Sequence, residues 1–95
     1  MFILPPEMRE TYLKRRLGDL ATLRFSLETN SLEAFHKIGH QIIGTAKNYG
    51  FSSLEPIAAR MEKLSAAELI HQGPLLIEEF STWLNNQNLK QSINQ

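Results

Sequence analysis

Residues 32–49 read Leu-Glu-Ala-Phe-His-Lys-Ile-Gly-His-Gln-Ile-Ile-Gly-Thr-Ala-Lys-Asn-Tyr, and their spacing decides the fold. At about 100° per residue, Leu32, Phe35, Ile38, Ile42, Ala46 and Tyr49 gather in one band of a helical wheel. The spacing predicts an amphipathic helix that runs to Tyr49 and ends at Gly50, where glycine accepts a left-handed cap. His40 falls roughly 140° from the middle of the apolar band, and Gly44 nearly opposite it. His36, Lys37, Lys47 and Glu33 fill the rest of the outward face. Gly39 lies nearer the core side, where it allows close helix packing.

The same period continues on either side. Upstream, Pro6 to Glu28 is predicted to be a helix with Leu13, Leu17, Leu20 and Leu27 on one face and Leu23 at its edge. Arg24 falls within that stripe, its stem expected along the core edge with the guanidinium in water. Asn30 offers an N-cap to the second helix, with Glu33 three residues on. Downstream, Ser52 or Ser53 is expected to cap a third helix with Pro56 in its first turn. Leu54, Ile57, Ala58, Met61 and Leu64 are its stripe. Gly73-Pro74 predicts the next break or kink. Leu76, Phe80, Trp83 and Leu84 supply a fourth face, and residues 66–72 belong to either neighbour. The Asn- and Gln-rich tail 85–95 is expected to fray.

Valine is absent and no stretch alternates with period two, so strands are not expected. Short connections favour antiparallel neighbours. The expected fold is all-α: one domain over 1–95, an antiparallel up-down-up-down four-helix bundle with its core over about 6–84 and a polar tail.

Composition narrows the function. Ten basic and ten acidic side chains cancel, so no overall field draws the chain to nucleic acid or to an anionic membrane. With no cysteine there is neither a disulfide framework nor a thiolate metal site. The apolar start Met1–Leu4 stops at Pro5-Pro6, too short for a signal-peptide core, and no stretch approaches the roughly 20 apolar residues of a membrane span. A cytoplasmic monomer is expected. His36 and His40 stand four apart and could share a metal, but only Glu33 on that helix could add a ligand, so no metal site is assigned. No Gly-rich phosphate loop of the Gly-x4-Gly-Lys-Ser/Thr type occurs, so no ATP site is expected.

An exposed helix interior has no stability reason for Gly44, which costs about 1 kcal/mol against alanine. Its use is to bare the surface one turn beyond His40. His40-Gln41-Ile42-Ile43-Gly44, with Gly50 six residues later, resembles the His-x-Leu-Lys-Gly-x5-Gly signature of histidine phosphotransfer domains. Phe51-Ser-Ser-Leu54 and Ala58-Ala-Arg-Met-Glu62 are similar to that family's next helix, and the resemblance spans about residues 8–84. It implies that His40 accepts a phosphoryl group from a receiver-domain aspartyl phosphate and passes it to another receiver. It implies that Gly44 leaves room for the partner, a response-regulator receiver domain or a hybrid sensor kinase, and that the partner brings Mg²⁺. The chain itself would need no cofactor and would be a carrier without kinase or ATPase activity. The family's lysine three residues after the histidine is Ile43 here. Lys47 and Lys37 are the candidate replacements, and His36 and Gln41 complete the candidate binding residues around His40. The departure at Ile43 keeps a second function open: a helical interaction module of the same fold that binds a receiver or another signalling protein without carrying phosphate.

Overall fold

A computed structural model describes residues 5–93, with side chains as far as Gln87. It consists of α1 (Pro6–Glu28), α2 (Glu33–Thr45), α3 (Glu55–Lys63) and α4 (Leu69–Ile93), with 3-10 turns at Lys47–Tyr49 and Ser52–Leu54. No strand occurs among the described residues. No helix among them is long and apolar enough to cross a membrane.

Apolar periodicity sets the packing. α2 lies chiefly on α3, and α1 chiefly on α4. Leu23 from α1, Phe35 and Ile42 from α2, Met61 from α3 and Phe80 and Leu84 from α4 are the fully buried centre, with Leu54 from the second 3-10 turn. The stripes expected on the second, third and fourth helices are those that point inward, with Leu32, Tyr49 and Ile57 only partly covered. On α1 the stripe is rotated from the expected one. Leu17 is 45% exposed, while Tyr12 and Arg16 are buried. Arg24, expected along the core edge, is exposed.

The helix ends differ from expectation in four places, each for a local reason. Asn30 does not cap α2: it closes α1, in the left-handed region at φ 54°. Ser31 N–H bonds the Ser26 carbonyl at 2.8 Å and Asn30 N–H bonds that of Leu27 at 3.3 Å, a Schellman arrangement that asparagine tolerates next best to glycine. α2 stops at Thr45 rather than Tyr49, its chain tightening into the first 3-10 turn. Gly50, at φ 83°, ends that turn in the expected left-handed cap, with Phe51 N–H on the Ala46 carbonyl at 2.8 Å. The turn carries Tyr49 onto Tyr12, with ring centroids 4.4 Å apart.

Neither Ser52 nor Ser53 caps α3 with its side chain. Both lie in the second 3-10 turn, and Ser53 Oγ instead accepts the Trp83 indole N–H at 2.8 Å. Gly73-Pro74 makes no break, since both residues are inside α4. Pro74 removes only the bond to the Ile70 carbonyl, one turn from the helix start where water reaches it. Gly73 is there for space: a Cβ would come 2.7 Å from Leu27 Cδ2 of α1. The polar tail 85–95 has a helical backbone as far as Ile93, while its side chains beyond Gln87 and residues 94 and 95 lie outside those described.

The boundary before α4 is made by Ser65 and Glu68 instead. Ser65 N–H bonds Glu68 Oε1 at 3.0 Å and Glu68 N–H bonds Ser65 Oγ at 3.2 Å, a capping box. Those bonds from Ser65, backbone first, hold the Glu68 carboxyl below its ordinary range. A depressed carboxyl stabilises the fold above its unfolded pKa and loses that contribution as pH falls through the folded value. Thermal melts from neutral to acid pH should therefore show Glu68→Gln less stable than the wild type near neutrality. The two should converge once the wild-type carboxyl is protonated, below the usual carboxylate range. A gap of constant size across that range would show that ionisation of Glu68 plays no part.

Candidate functional site

The α2–α3 seam is unusually close, because Gly39 has no side chain. A Cβ there would lie 2.6 Å from the Ala58 carbonyl oxygen and 2.8 Å from the Glu62 amide nitrogen. The approach brings the end of α3 under two outward positions of α2.

His36 is the first. The wheel places it on the outward face, but it is half-buried, and its Nε2 donates to the Leu64 carbonyl at 2.6 Å. That carbonyl belongs to the C-cap of α3, one of the groups a helix end leaves unsatisfied. His36 is thus tied into the seam, with its Nε2 engaged by the end of α3.

His40 is the second, one turn along, and it differs in every respect. Its side chain is 79% exposed. Its Nδ1 lies 2.6 Å from Oε2 of Glu62, whose side chain is 35% exposed. An ionised carboxylate only accepts, so Nδ1 carries the proton. In the neutral ring that leaves the lone pair on Nε2, which makes no hydrogen bond among the described residues. A mostly exposed pair of this kind adds little to stability, about 1 kcal/mol or less. What it supplies is orientation: the ring is fixed in tautomer and direction by a group from another helix.

The remaining sequence-derived residues arrange themselves around this ring. Gly44 is exposed, with nothing within 4 Å of where its Cβ would stand, so the surface one turn beyond His40 is bare. Gln41 and Lys37 are exposed on the same helix. Lys47 is exposed too, but it lies in the 3-10 turn past the end of α2, off the helical line that the wheel assumed. Neither lysine makes an ion pair among the described residues. Ile43 is half-buried against the core and brings no charge to the site. Among the described residues, no three His, Asp or Glu side chains come together as a metal ligand set.

Glu62 is the residue that sequence reasoning did not assign. It stands 22 positions beyond His40, on another helix, so only the register of α3 against α2 reveals it. On the far side of α2, the Tyr12 hydroxyl and Thr45 Oγ1 are 2.9 Å apart, and Thr45 Oγ1 donates to the Gln41 carbonyl at 2.9 Å. The tyrosine is therefore the donor to Thr45. That bond pins the last turn of α2 to α1, so the helix bearing His40 is held from both sides.

Comparison with protein-family models, with curated proteins and with solved structures returns no match. The chemistry of the site rests on its geometry.

Proposed function

We propose that this chain is a phosphorelay carrier that takes a phosphoryl group onto Nε2 of His40 from a receiver-domain aspartate and passes it to another receiver. The observation that carries the reading is the His40 ring: exposed, held through Nδ1 by Glu62, with Nε2 left unbonded and the surface bare one turn on at Gly44. The helices are read as an antiparallel up-down-up-down bundle, which short connections favour. The resemblance of residues 40–50 to histidine phosphotransfer domains points the same way.

Phosphoryl transfer asks for in-line positioning and for stabilisation of charge. In the loading step the Nε2 lone pair forms the N–P bond as the P–O bond to the aspartyl carboxylate breaks, and that carboxylate leaves. Positive charge builds on the imidazole as the bond forms. The Glu62 carboxylate at Nδ1 offsets it while the proton stays on Nδ1. Mg²⁺ held by the receiver offsets charge on the phosphoryl oxygens, and the carrier needs no cofactor or kinase activity of its own. Ile43 leaves a place without a cation, for which Lys37 and Lys47 are the candidate substitutes. The ring of His36, bonded to Leu64, is not offered as an acceptor.

The test is incubation of the chain with a receiver charged as its aspartyl phosphate and Mg²⁺. Acid-labile, base-stable phosphate on the chain supports the reading, and its absence with every receiver tried contradicts it. Glu62→Ala should slow this uptake by roughly tenfold to a hundredfold, within the range that positioned acid–base groups contribute or somewhat below it. It should also move the His40 ring from the Nδ1–H tautomer towards a mixture, read from its nitrogen chemical shifts, with no loss of helix content. An unchanged rate and tautomer would remove Glu62 from the mechanism.

The second reading is an interaction module of the same fold that binds a receiver or another signalling protein without carrying phosphate. Ile43 is the feature that favours it, and in the same assay such a module would bind without labelling.

A further inference from the structure

The face of α1 turned away from the core carries two features that the fold does not use. Phe25 is 64% exposed. Gly18 is exposed as well, and a Cβ there would meet nothing within 4 Å. Neither packing nor a positive φ requires glycine at 18, and inside an exposed helix it is a poorer choice than alanine. The two positions are seven apart, so they lie within about 20° of one direction, roughly opposite the buried stripe of Tyr12, Leu13, Leu20 and Leu23. Between them Ala21 and Thr22 are small and exposed, and Thr22 Oγ1 donates to the Gly18 carbonyl at 3.1 Å, so that hydroxyl proton is engaged within the helix. One face thus has a bulky ring towards one end and a bare place towards the other.

Charge is divided along the same helix. Lys14 and Arg15 are exposed one turn before Gly18. Lys14 reaches only Glu10, at 4.0 Å with both side chains more than half exposed, and Arg15 makes no ion pair among the described residues. At the far end Glu28 is exposed and makes no ion pair among the described residues. The last turn of α1 contains no basic residue to answer the partial negative charge of a helix C-terminus.

We propose that this face is a self-association surface, on which α1 of a second copy packs antiparallel, in place of the monomer expected from the sequence. With the two-fold axis between Ala21 and Thr22, Phe25 of each copy lies over Gly18 of the other. The same register sets Lys14 and Arg15 of one copy against Glu28 and the C-terminal end of α1 in the other, twice over by symmetry. That self-complementarity is what an isologous contact requires. A parallel pair would set ring on ring and cations on cations. Because the face lies opposite the core, the two bundles sit back to back. α3 packs on α2 and α4 rather than on α1, so the seam that holds His40 stays outside the contact. The inference does not depend on the carrier reading. A strip of about four turns of one helix is smaller than the roughly 800 Å² per partner of a standard interface, so the dimer is weak, half-formed at on the order of 100 µM.

The experiment is sedimentation equilibrium of the full chain from about 10 µM to 1 mM at low salt, a range that brackets that estimate. A monomer–dimer equilibrium is expected. Phe25→Ser and Gly18→Leu should each weaken it by tenfold or more, with helical circular dichroism preserved because both positions are on the surface. Lys14→Glu and Glu28→Lys should each weaken it several-fold, the double swap should restore it, and the single losses should shrink as salt rises. Sedimentation as a monomer at every concentration overturns the proposal. So does a dimer that Phe25→Ser and Gly18→Leu leave unweakened, since its contact would lie elsewhere. A dimer that these variants weaken but the charge swap does not restore overturns the antiparallel register.

Discussion

Gly39→Ala should destabilise the bundle by about 2 kcal/mol or more, although alanine is the better helix former. Helix propensity alone would favour the substitution by about 1 kcal/mol. Against that, the new methyl would meet backbone, not a side chain that can swing away. The Ala58 carbonyl oxygen would be 2.6 Å from it and the Glu62 amide nitrogen 2.8 Å. Overpacking a close contact costs typically about 1–3 kcal/mol and occasionally more, because helices must part to relieve it. For a domain of this size the expected loss lowers the melting temperature by roughly 10 °C. The consequence reaches the site, since the same approach of α3 brings Glu62 within 2.6 Å of His40. Gly44→Ala is the control: with open space around it, it should hold or raise stability by up to about 1 kcal/mol. Melts of the two variants decide it, and equal effects would mean that the α2–α3 seam is looser than described.

The second large effect separates the two histidines. His40→Gln should abolish phosphate uptake and change stability by no more than about 0.5 kcal/mol, because the ring is exposed. His36→Gln should still accept phosphate but cost about 1 kcal/mol of stability, the usual net worth of a hydrogen bond such as the one to Leu64. The pair of results is diagnostic because the same chemical change is expected to move opposite quantities. If His36→Gln abolished uptake and His40→Gln did not, the roles assigned to the two rings would be reversed.

Much of the bundle is legible in the sequence because burial imposes a period. Phe35, Ile38 and Ile42 can be placed inside, and His40 and Gly44 outside, from spacing alone. Arg16 defeats that reasoning. A charged residue inside the α1 stripe is buried here because Asp19 and the Tyr12 ring surround it, which displaces Leu17 towards solvent. Burial raises the Asp19 carboxyl above its usual range despite the Arg16 charge beside it, so the pair is not a simple gain in stability. At the α3–α4 boundary the Ser65-x-x-Glu68 spacing was the better marker, a capping-box signature lying just before an apolar run. Gly73-Pro74 misleads because glycine and proline also occur where a neighbour approaches closely or where a lost bond faces water. Glu62 could not have been found by spacing. Its partnership with His40 exists only once two helices have a register.

The central claim is that Nε2 of His40 is the acceptor. The most direct test is nitrogen and phosphorus NMR of the ring-labelled chain after incubation with a charged receiver and Mg²⁺. Phosphorus coupled to Nε2 of His40, with the proton retained on Nδ1 beside Glu62, is the result predicted. Phosphorus on His36, or on Nδ1 of His40, would contradict the account.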